Sequence, residues 1–278
     1  MTTRNAPLTG GWRPSPLMVR ILSAFVILAM VIGLVLVGIY GVYALVLLLG
    51  GLALYEFNAL SDKMGSRAPA WLLFPLGVFF AFSGTALKQV DVTLVLALAL
   101  VGGLGAFLFL PGQRQGLSRW AMGLAGALYI GMPFNFYLLL YTSKPNGLVW
   151  TLFTIFAVVA SDAAALLVGS RIGRHPFFAT ISPKKTVEGA IGGFTFGAAI
   201  MTVAGAWWLP AIPIALRALL GIVVVALGIT GDLFESMLKR SAGVKDSSSL
   251  IPGHGGVLDR IDALLFAAPV YYVMLQLA

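Results

Sequence analysis

Leu22-SAFVILAMVIGLVLVGI-Tyr40 runs for 19 residues without a charged side chain. As a helix rising about 1.5 Å per residue, a run of that length covers most of a hydrocarbon core about 30 Å thick. Its apolar residues are continuous and do not alternate with polar ones, so it reads as a helix and not as a barrel strand. It is also longer than the apolar core of a secretion signal, which predicts a retained first span after the polar residues 1–17. Comparable runs recur along the 278 residues. A hydrophobic content of 59% and a mean hydropathy of +0.97 place the chain outside the range of water-soluble domains. The expected fold is all-α: a polytopic integral membrane protein of about nine transmembrane helices. They fall near residues 18–39, 41–60, 70–87, 91–110, 120–141, 148–170, 188–208, 212–233 and 261–277.

The basic residues supply an independent check on that count. If the N-terminus is cytoplasmic, only Lys88, Lys144 and Arg217 fall outside, and the other fifteen of the 18 basic residues, Arg4, Arg13 and Arg114 among them, fall inside. Merging or splitting one span would invert every later loop and destroy this positive-inside asymmetry. The net charge of +8 therefore reflects orientation and contact with anionic lipid, not nucleic-acid binding. The expected location is the inner (cytoplasmic) membrane, with the long polar loops on the cytoplasmic side. Residues 1–150 read as scaffold and lipid-facing helices, and 151–278 as a catalytic region with two motif loops. The absence of cysteine excludes disulfides, thiolate metal sites and a cysteine nucleophile, and two histidines are too few for a histidine-based zinc site.

Polar chemistry is concentrated in Gly231–Asp262, GDLFESMLKRSAGVKDSSSLIPGHGGVLDRID. Only 10% of the chain is charged, yet ten charged or imidazole groups fall in this stretch. Charge beside a bilayer is costly, so such a concentration marks a functional site. On a helix, Asp232, Glu235, Ser236, Lys239 and Arg240 share one face. That face can hold a divalent metal and the phosphates the metal neutralises, or it can be a salt-bridged amphipathic helix end. Lys245 and Asp246 follow, then a turn in which Gly253, Gly255 and Gly256 permit close backbone approach around His254, so its N–H groups can meet phosphate oxygens. Asp259 and Asp262, three apart at the start of the last span with Arg260 between them, look like oxygen ligands for Mg²⁺.

A second polar segment, Ile181-SPKKTVEGAIG-Gly193, offers Ser182, Lys184, Lys185, Thr186 and Glu188. Thr186 is placed to cap a helix from about Val187, and glycines at 189, 193 and 197 permit close helix packing. Asp162, a carboxylate within a span, is a functional candidate or a buried partner for a neighbouring cation. Glu56, with Asn58 nearby, reads as an interfacial or packing residue, and His175 as a loop residue.

The pattern Ser236-Met-Leu-Lys-Arg240, Lys245-Asp246 and Pro252-GHGGVLDRI-Asp262 closely resembles the signature of the phosphatidate cytidylyltransferase (CDP-diacylglycerol synthase) family. The SPKKT-x-EG element at Ser182–Gly189 and the upstream Asp162 extend the resemblance, which is sharp over about 160–265. One departure is Leu166, where the family often has tyrosine. The resemblance implies transfer of the cytidylyl group of CTP to phosphatidate, giving CDP-diacylglycerol and pyrophosphate in phospholipid biosynthesis. It implies Asp232, Asp259 and Asp262 as metal ligands for Mg²⁺, with room for a second cation. Lys239, Arg240, Lys245 and the glycine loop with His254, Gly255 and Gly256 would hold CTP phosphates, and Asp246 and Arg260 would be further substrate-binding residues. Asp162, Ser182, Lys184, Lys185, Thr186 and Glu188 would line the same cavity. The glycine-rich helices leave room for a homodimer. A CTP-dependent polyprenol or phytol kinase shares part of the motif logic. An ion-coupled transporter would have no use for the dense polar loop, and a CDP-alcohol phosphatidyltransferase would need a DGxxAR motif that the chain lacks.

Overall fold

The computed structural model describes residues 15–109, 115–144, 146–208, 210 and 212–277. Arg4, Arg13 and Arg114 lie outside the described residues. Nine helices are found among those described: α1 (Pro16–Val37), α2 (Ile39–Lys63), α3 (Ala70–Phe82), α4 (Val92–Phe109), α5 (Gly116–Thr142), α6 (Gly147–Ile172), α7 (Val187–Trp208), α8 (Ile214–Ser241) and α9 (Leu258–Leu277). They match the nine expected spans. Six of them, α1, α2 and α5 to α8, are long and apolar enough to cross a membrane. α3 and the described part of α4 are shorter apolar helices.

Local sequence explains most boundaries. Ser15 accepts from the Met18 amide, with Pro16 at the first helical position, a favourable start for α1. Asp91 Oδ1 accepts from the amides of Thr93 and Leu94 at the start of α4. Thr186 Oγ1 accepts from Gly189 N at 3.2 Å, the expected cap on α7. Several ends differ from expectation by three residues or more, and two of them bear on the site. α8 runs to Ser241, well beyond 233, because its polar face is amphipathic helix and not loop. α9 begins at Leu258 rather than near 261, for a reason that lies in α2 and is described below.

Two apolar cores are present. One is built largely from α2, α3, α5 and α9, around residues such as Leu54, Phe80 and Ile130. The other joins α6, α7, α8 and α9 around Phe153, Met201, Leu220 and Tyr271. α9 contributes to both, with Leu265 and Ala268 in the first and Ala263 and Ala267 in the second. The helix carrying the LDRID motif is therefore held from both sides. α7 lies close against both its neighbours. A Cβ on Gly189 would sit 2.9 Å from the Ala165 carbonyl oxygen of α6, and one on Gly197 would sit 2.4 Å from Val225 of α8.

Candidate active site

α8 and α9 meet backbone to backbone at Gly231, where a Cβ would lie 2.4 Å from the Asp262 carbonyl oxygen. That close approach brings acidic groups together. Asp232 and Glu235 of α8 and Asp262 of α9 place carboxylate oxygens within 4.8 Å of one another. Glu235 is fully buried and Asp262 nearly so. Neither Glu235 oxygen receives a well-directed hydrogen bond, although Oε2 forms an ion pair with Lys239. The buried Tyr129 hydroxyl of α5 also lacks a partner. Carboxylates crowded in this way repel one another, and open acceptor positions out of water are costly. A set of hard oxygen donors is suited to a divalent cation such as Mg²⁺. The residues therefore fit a metal, and Asp232, Glu235 and Asp262 are the ones that would hold it.

Of the expected ligands Asp232, Asp259 and Asp262, the first and third belong to this cluster together with Glu235, and Asp259 lies beside it. Asp259 Oδ1 accepts from Lys239 Nζ at 2.5 Å. Its Oδ2 accepts from Ser247 N, Ser247 Oγ and Gly256 N at 2.9, 2.7 and 2.8 Å. Both oxygens are engaged inside the protein, so Asp259 fastens the loop to α8 while Glu235 completes the acidic trio. Lys239, held between Asp259 and Glu235, bridges the two groups.

Glu56 is the residue that sequence reasoning missed. It is 0% exposed, and four donors from a segment about 200 positions away lie within hydrogen-bonding distance of it, Ser247 Oγ being shared with Asp259. Its donors are Ser247 Oγ (3.0 Å), Ser248 Oγ (2.6 Å), Val257 N (2.9 Å) and Leu258 N (2.7 Å). A carboxylate from α2 thus caps the first turn of α9, where amide groups need acceptors and negative charge is favoured. This is why α9 starts at Leu258. Ser247 Oγ lies within hydrogen-bonding reach of both Glu56 and Asp259, which links α2 to Asp259 and through Lys239 to Glu235. A carboxylate two residues before Asn58 carries no local signal for such a role, because its partners are serines and backbone amides far along the chain.

Beside Asp232 and Asp262 opens a cavity of about 640 Å³, with Glu235 buried behind them. Of the residues singled out from the sequence, Asp162, Ser182, Lys184, Lys185, Thr186, Asp232, Lys239, Arg240, Lys245, Asp246, Asp259, Arg260 and Asp262 line it. Lys185 Nζ lies 2.6 Å from Asp232 Oδ2, which ties the SPKK segment to α8. Lys184, Lys245 and Arg260 are exposed to the cavity and have no ion-pair partner among the described residues. Leu166, at the position of the departure noted above, lines the wall near Asp162.

Four expected substrate contacts are placed elsewhere. Glu188 accepts from the amides of Arg174 and His175 at 3.0 and 3.3 Å and lies 2.5 Å from His175 Nδ1, so it closes the α6–α7 loop. The glycine turn has positive φ at Gly253 and Gly255 (76° and 88°), and two of its amides are engaged within the protein. His254 N donates to the Ile251 carbonyl and Gly256 N to Asp259, so these groups are not free for phosphate. Gly256 is required for packing: a Cβ there would lie 1.9 Å from Ser247 Oγ and 2.6 Å from both Glu56 oxygens. His254 turns toward α1, where its Nδ1 lies 2.8 Å from Ser23 Oγ. Partial burial and the nearby charges of Arg260 and Arg20 hold its imidazole below the usual histidine range.

Comparison with known proteins extends the likeness beyond the motif loops. Residues 18–278 match the sequence profile of the Cytidylyltransferase family. The chain is 46% identical over 135 residues to a protein of Synechocystis sp. named phosphatidate cytidylyltransferase, covering 48% of this chain and 45% of that one. Against proteins of the same name it is 28% identical over 93% of its length to that of Bacillus subtilis and 30% identical over 84% to that of Staphylococcus saprophyticus. These matches span 97% and 94% of the two relatives. The match to the profile begins in α1 and runs to the last residue, so it is not confined to one motif: the chain belongs to the cytidylyltransferase family.

Proposed function

We propose that the protein transfers the cytidylyl group of CTP to phosphatidate, releasing pyrophosphate and leaving CDP-diacylglycerol in the membrane. The observation that carries this reading is the cavity in which Asp232 and Asp262, backed by the buried Glu235, share one wall space with Lys184, Lys245 and Arg260 at one end of an apolar bundle. A non-bridging oxygen of the lipid phosphate attacks the α-phosphorus of CTP, and the bond from that phosphorus to the oxygen bridging to the β-phosphorus breaks. Electrons leave with pyrophosphate. The attacking oxygen is already ionised at neutral pH, so no side chain need remove a proton, and no covalent intermediate is needed.

Two polyanions must be brought together, and electrostatics is the main barrier. A divalent ion bound by Asp232, Glu235 and Asp262 would neutralise triphosphate charge and the charge developing on the leaving group. Lys184, Lys245 and Arg260 supply unpaired positive charge on the cavity wall, and Arg240 adds a guanidinium on the α8 side. Lys185 keeps Asp232 oriented. The excess of basic residues in these loops supports an orientation with this end of the bundle at the cytoplasmic face of the inner membrane, where CTP is available.

Phe177 is the aromatic side chain among the described cavity residues and offers a face for the cytosine ring. Stacking of a base on an aromatic ring is worth about 1–3 kcal/mol, so Phe177→Ala is expected to raise the KM for CTP about tenfold or more. The KM for phosphatidate should hardly change. Steady-state kinetics with each substrate varied in turn checks this, and an unchanged KM for CTP removes the base from Phe177.

Labelling separates the reaction from that of a lipid kinase. CTP labelled at the α-phosphorus should pass its label to the lipid in equal amount with pyrophosphate, and CTP labelled at the γ-phosphorus should not. Label from the γ-phosphorus in the lipid would replace cytidylyl transfer by phosphorylation.

A further inference from the structure

Arg260 lines two spaces at once. One is the polar cavity; the other is a separate apolar groove of about 500 Å³ between α1 and the faces of α2, α5, α6 and α9. Its guanidinium has no hydrogen-bond or ion-pair partner among the described residues, although it sits where the two spaces meet. Apart from His254 at the same end, the groove wall is otherwise aliphatic or aromatic. The polar groups of Tyr137 and Thr151 that reach it are engaged with the Leu264 and Gly147 carbonyls. A large, well-formed apolar pocket with one convergent cation is built for an amphiphile.

The dimensions agree. Groove-lining residues of α1 run from Ala24 to Val35, a rise of about 16 Å at about 1.5 Å per residue. That is close to one leaflet of a hydrocarbon core about 30 Å thick. The outer wall is a helix with little other packing: α1 is 6% buried in its apolar window. It is anchored at its basic end to the signature loop. Ser23 Oγ reaches the Pro252 carbonyl at 3.1 Å and His254 Nδ1 at 2.8 Å, and Arg20 packs over Gly253, where a Cβ would lie 2.8 Å from its Cγ. The polar end of the groove is therefore basic, with Arg20 and Arg260 near His254, whose imidazole they and partial burial hold below the usual histidine range.

We infer that this groove seats one acyl chain of a lipid phosphate monoester, and that Arg260 holds the phosphate at the junction with the polar cavity. A forked guanidinium matches a phosphate group bearing several free oxygens better than the shielded diester of a zwitterionic lipid. The fastening of α1 by Ser23 and His254 then serves the lipid rather than the nucleotide, and this is the role the geometry gives to His254. The inference rests on the proposed lipid substrate, but its site is distinct from the metal trio.

The test uses the full chain in nanodiscs with a phosphatidate carrying a diazirine in one acyl chain. Photolabel is expected on α1 and α2 residues of the groove, competed by excess phosphatidate and not by phosphatidylcholine, and lost in Arg260→Ala. Label on lipid-facing positions only, or equal competition by phosphatidylcholine, overturns the inference. If the groove is labelled as expected while the protein makes no CDP-diacylglycerol, the reaction fails and the lipid seat stands. A kinetic arm adds Ala24→Trp, which fills the groove, and Val26→Trp, which faces away from it. Ala24→Trp should raise the KM for long-chain phosphatidate about tenfold. It should leave dihexanoyl phosphatidate and CTP unaffected, and Val26→Trp should behave as wild type. Equal effects of the two variants, or equal effects on long and short chains, would again overturn it.

Discussion

Glu56→Ala is expected to lower kcat about 100-fold or more, although Glu56 does not line the cavity. Its loss strands the Val257 and Leu258 amides in the protein interior and frees two serines that pin the loop before α9. Unsatisfied buried donors cost about 1–3 kcal/mol each, so the thermal unfolding midpoint in detergent should also fall. Glu56→Gln keeps the size but turns an NH₂ group toward donors, so it should restore stability more than turnover. The signature of a positioning residue would be a drop in kcat together with a higher Mg²⁺ requirement in the Gln variant, whose fold is retained. Full activity in Glu56→Gln would reduce Glu56 to packing.

Asp262→Asn is expected to separate stability from activity. Asparagine can still accept from the Ala263 amide, as Asp262 Oδ1 does at 2.8 Å, so the start of α9 should be undisturbed. Turnover should fall about 10³-fold, the scale seen when a principal electrostatic stabiliser is removed. In chelator, however, the variant should melt at a higher temperature than wild type, because one of three crowded carboxylates has lost its charge. Melting curves with and without chelator, paired with kcat, measure both effects. A variant less stable than wild type in chelator would mean that Asp262 is a structural group and not part of a metal cradle.

The helices were readable because each apolar run approaches the thickness of a bilayer core, and hydropathy alone places such runs. The shared face of Asp232, Glu235, Ser236, Lys239 and Arg240 was equally readable, since helical periodicity fixes it without knowledge of tertiary contacts. What periodicity cannot decide is which oxygens already have partners. Asp259 is engaged by Ser247, Gly256 and Lys239, while Glu235 joins Asp232 and Asp262 in the acidic cluster, and neither arrangement follows from spacing alone. The glycine turn shows the same limit. Its residue types permit amides to face a ligand or the protein, and the position of Asp259 decides the matter for Gly256. Glu56 itself lay outside any motif, since its contacts join α2 to a loop nearly the whole chain away.

The charge pattern also carried more than orientation. Lys184, Lys185, Lys245 and Arg260 come from two loops far apart in sequence, and all line one cavity. Their shared side of the membrane was visible from the positive-inside count. Their distances were not, because these depend on the Lys185–Asp232 pair and on the contact between α8 and α9 at Gly231.

The most direct measurement is a structure determined with Mn²⁺ and a non-hydrolysable CTP analogue, using anomalous scattering to mark the metal. A peak bound by Asp232, Glu235 and Asp262, with the analogue's phosphates beside it, is the expected result. Metal held by Asp259 with Glu235 left aside, or no metal near the three carboxylates, would contradict the account.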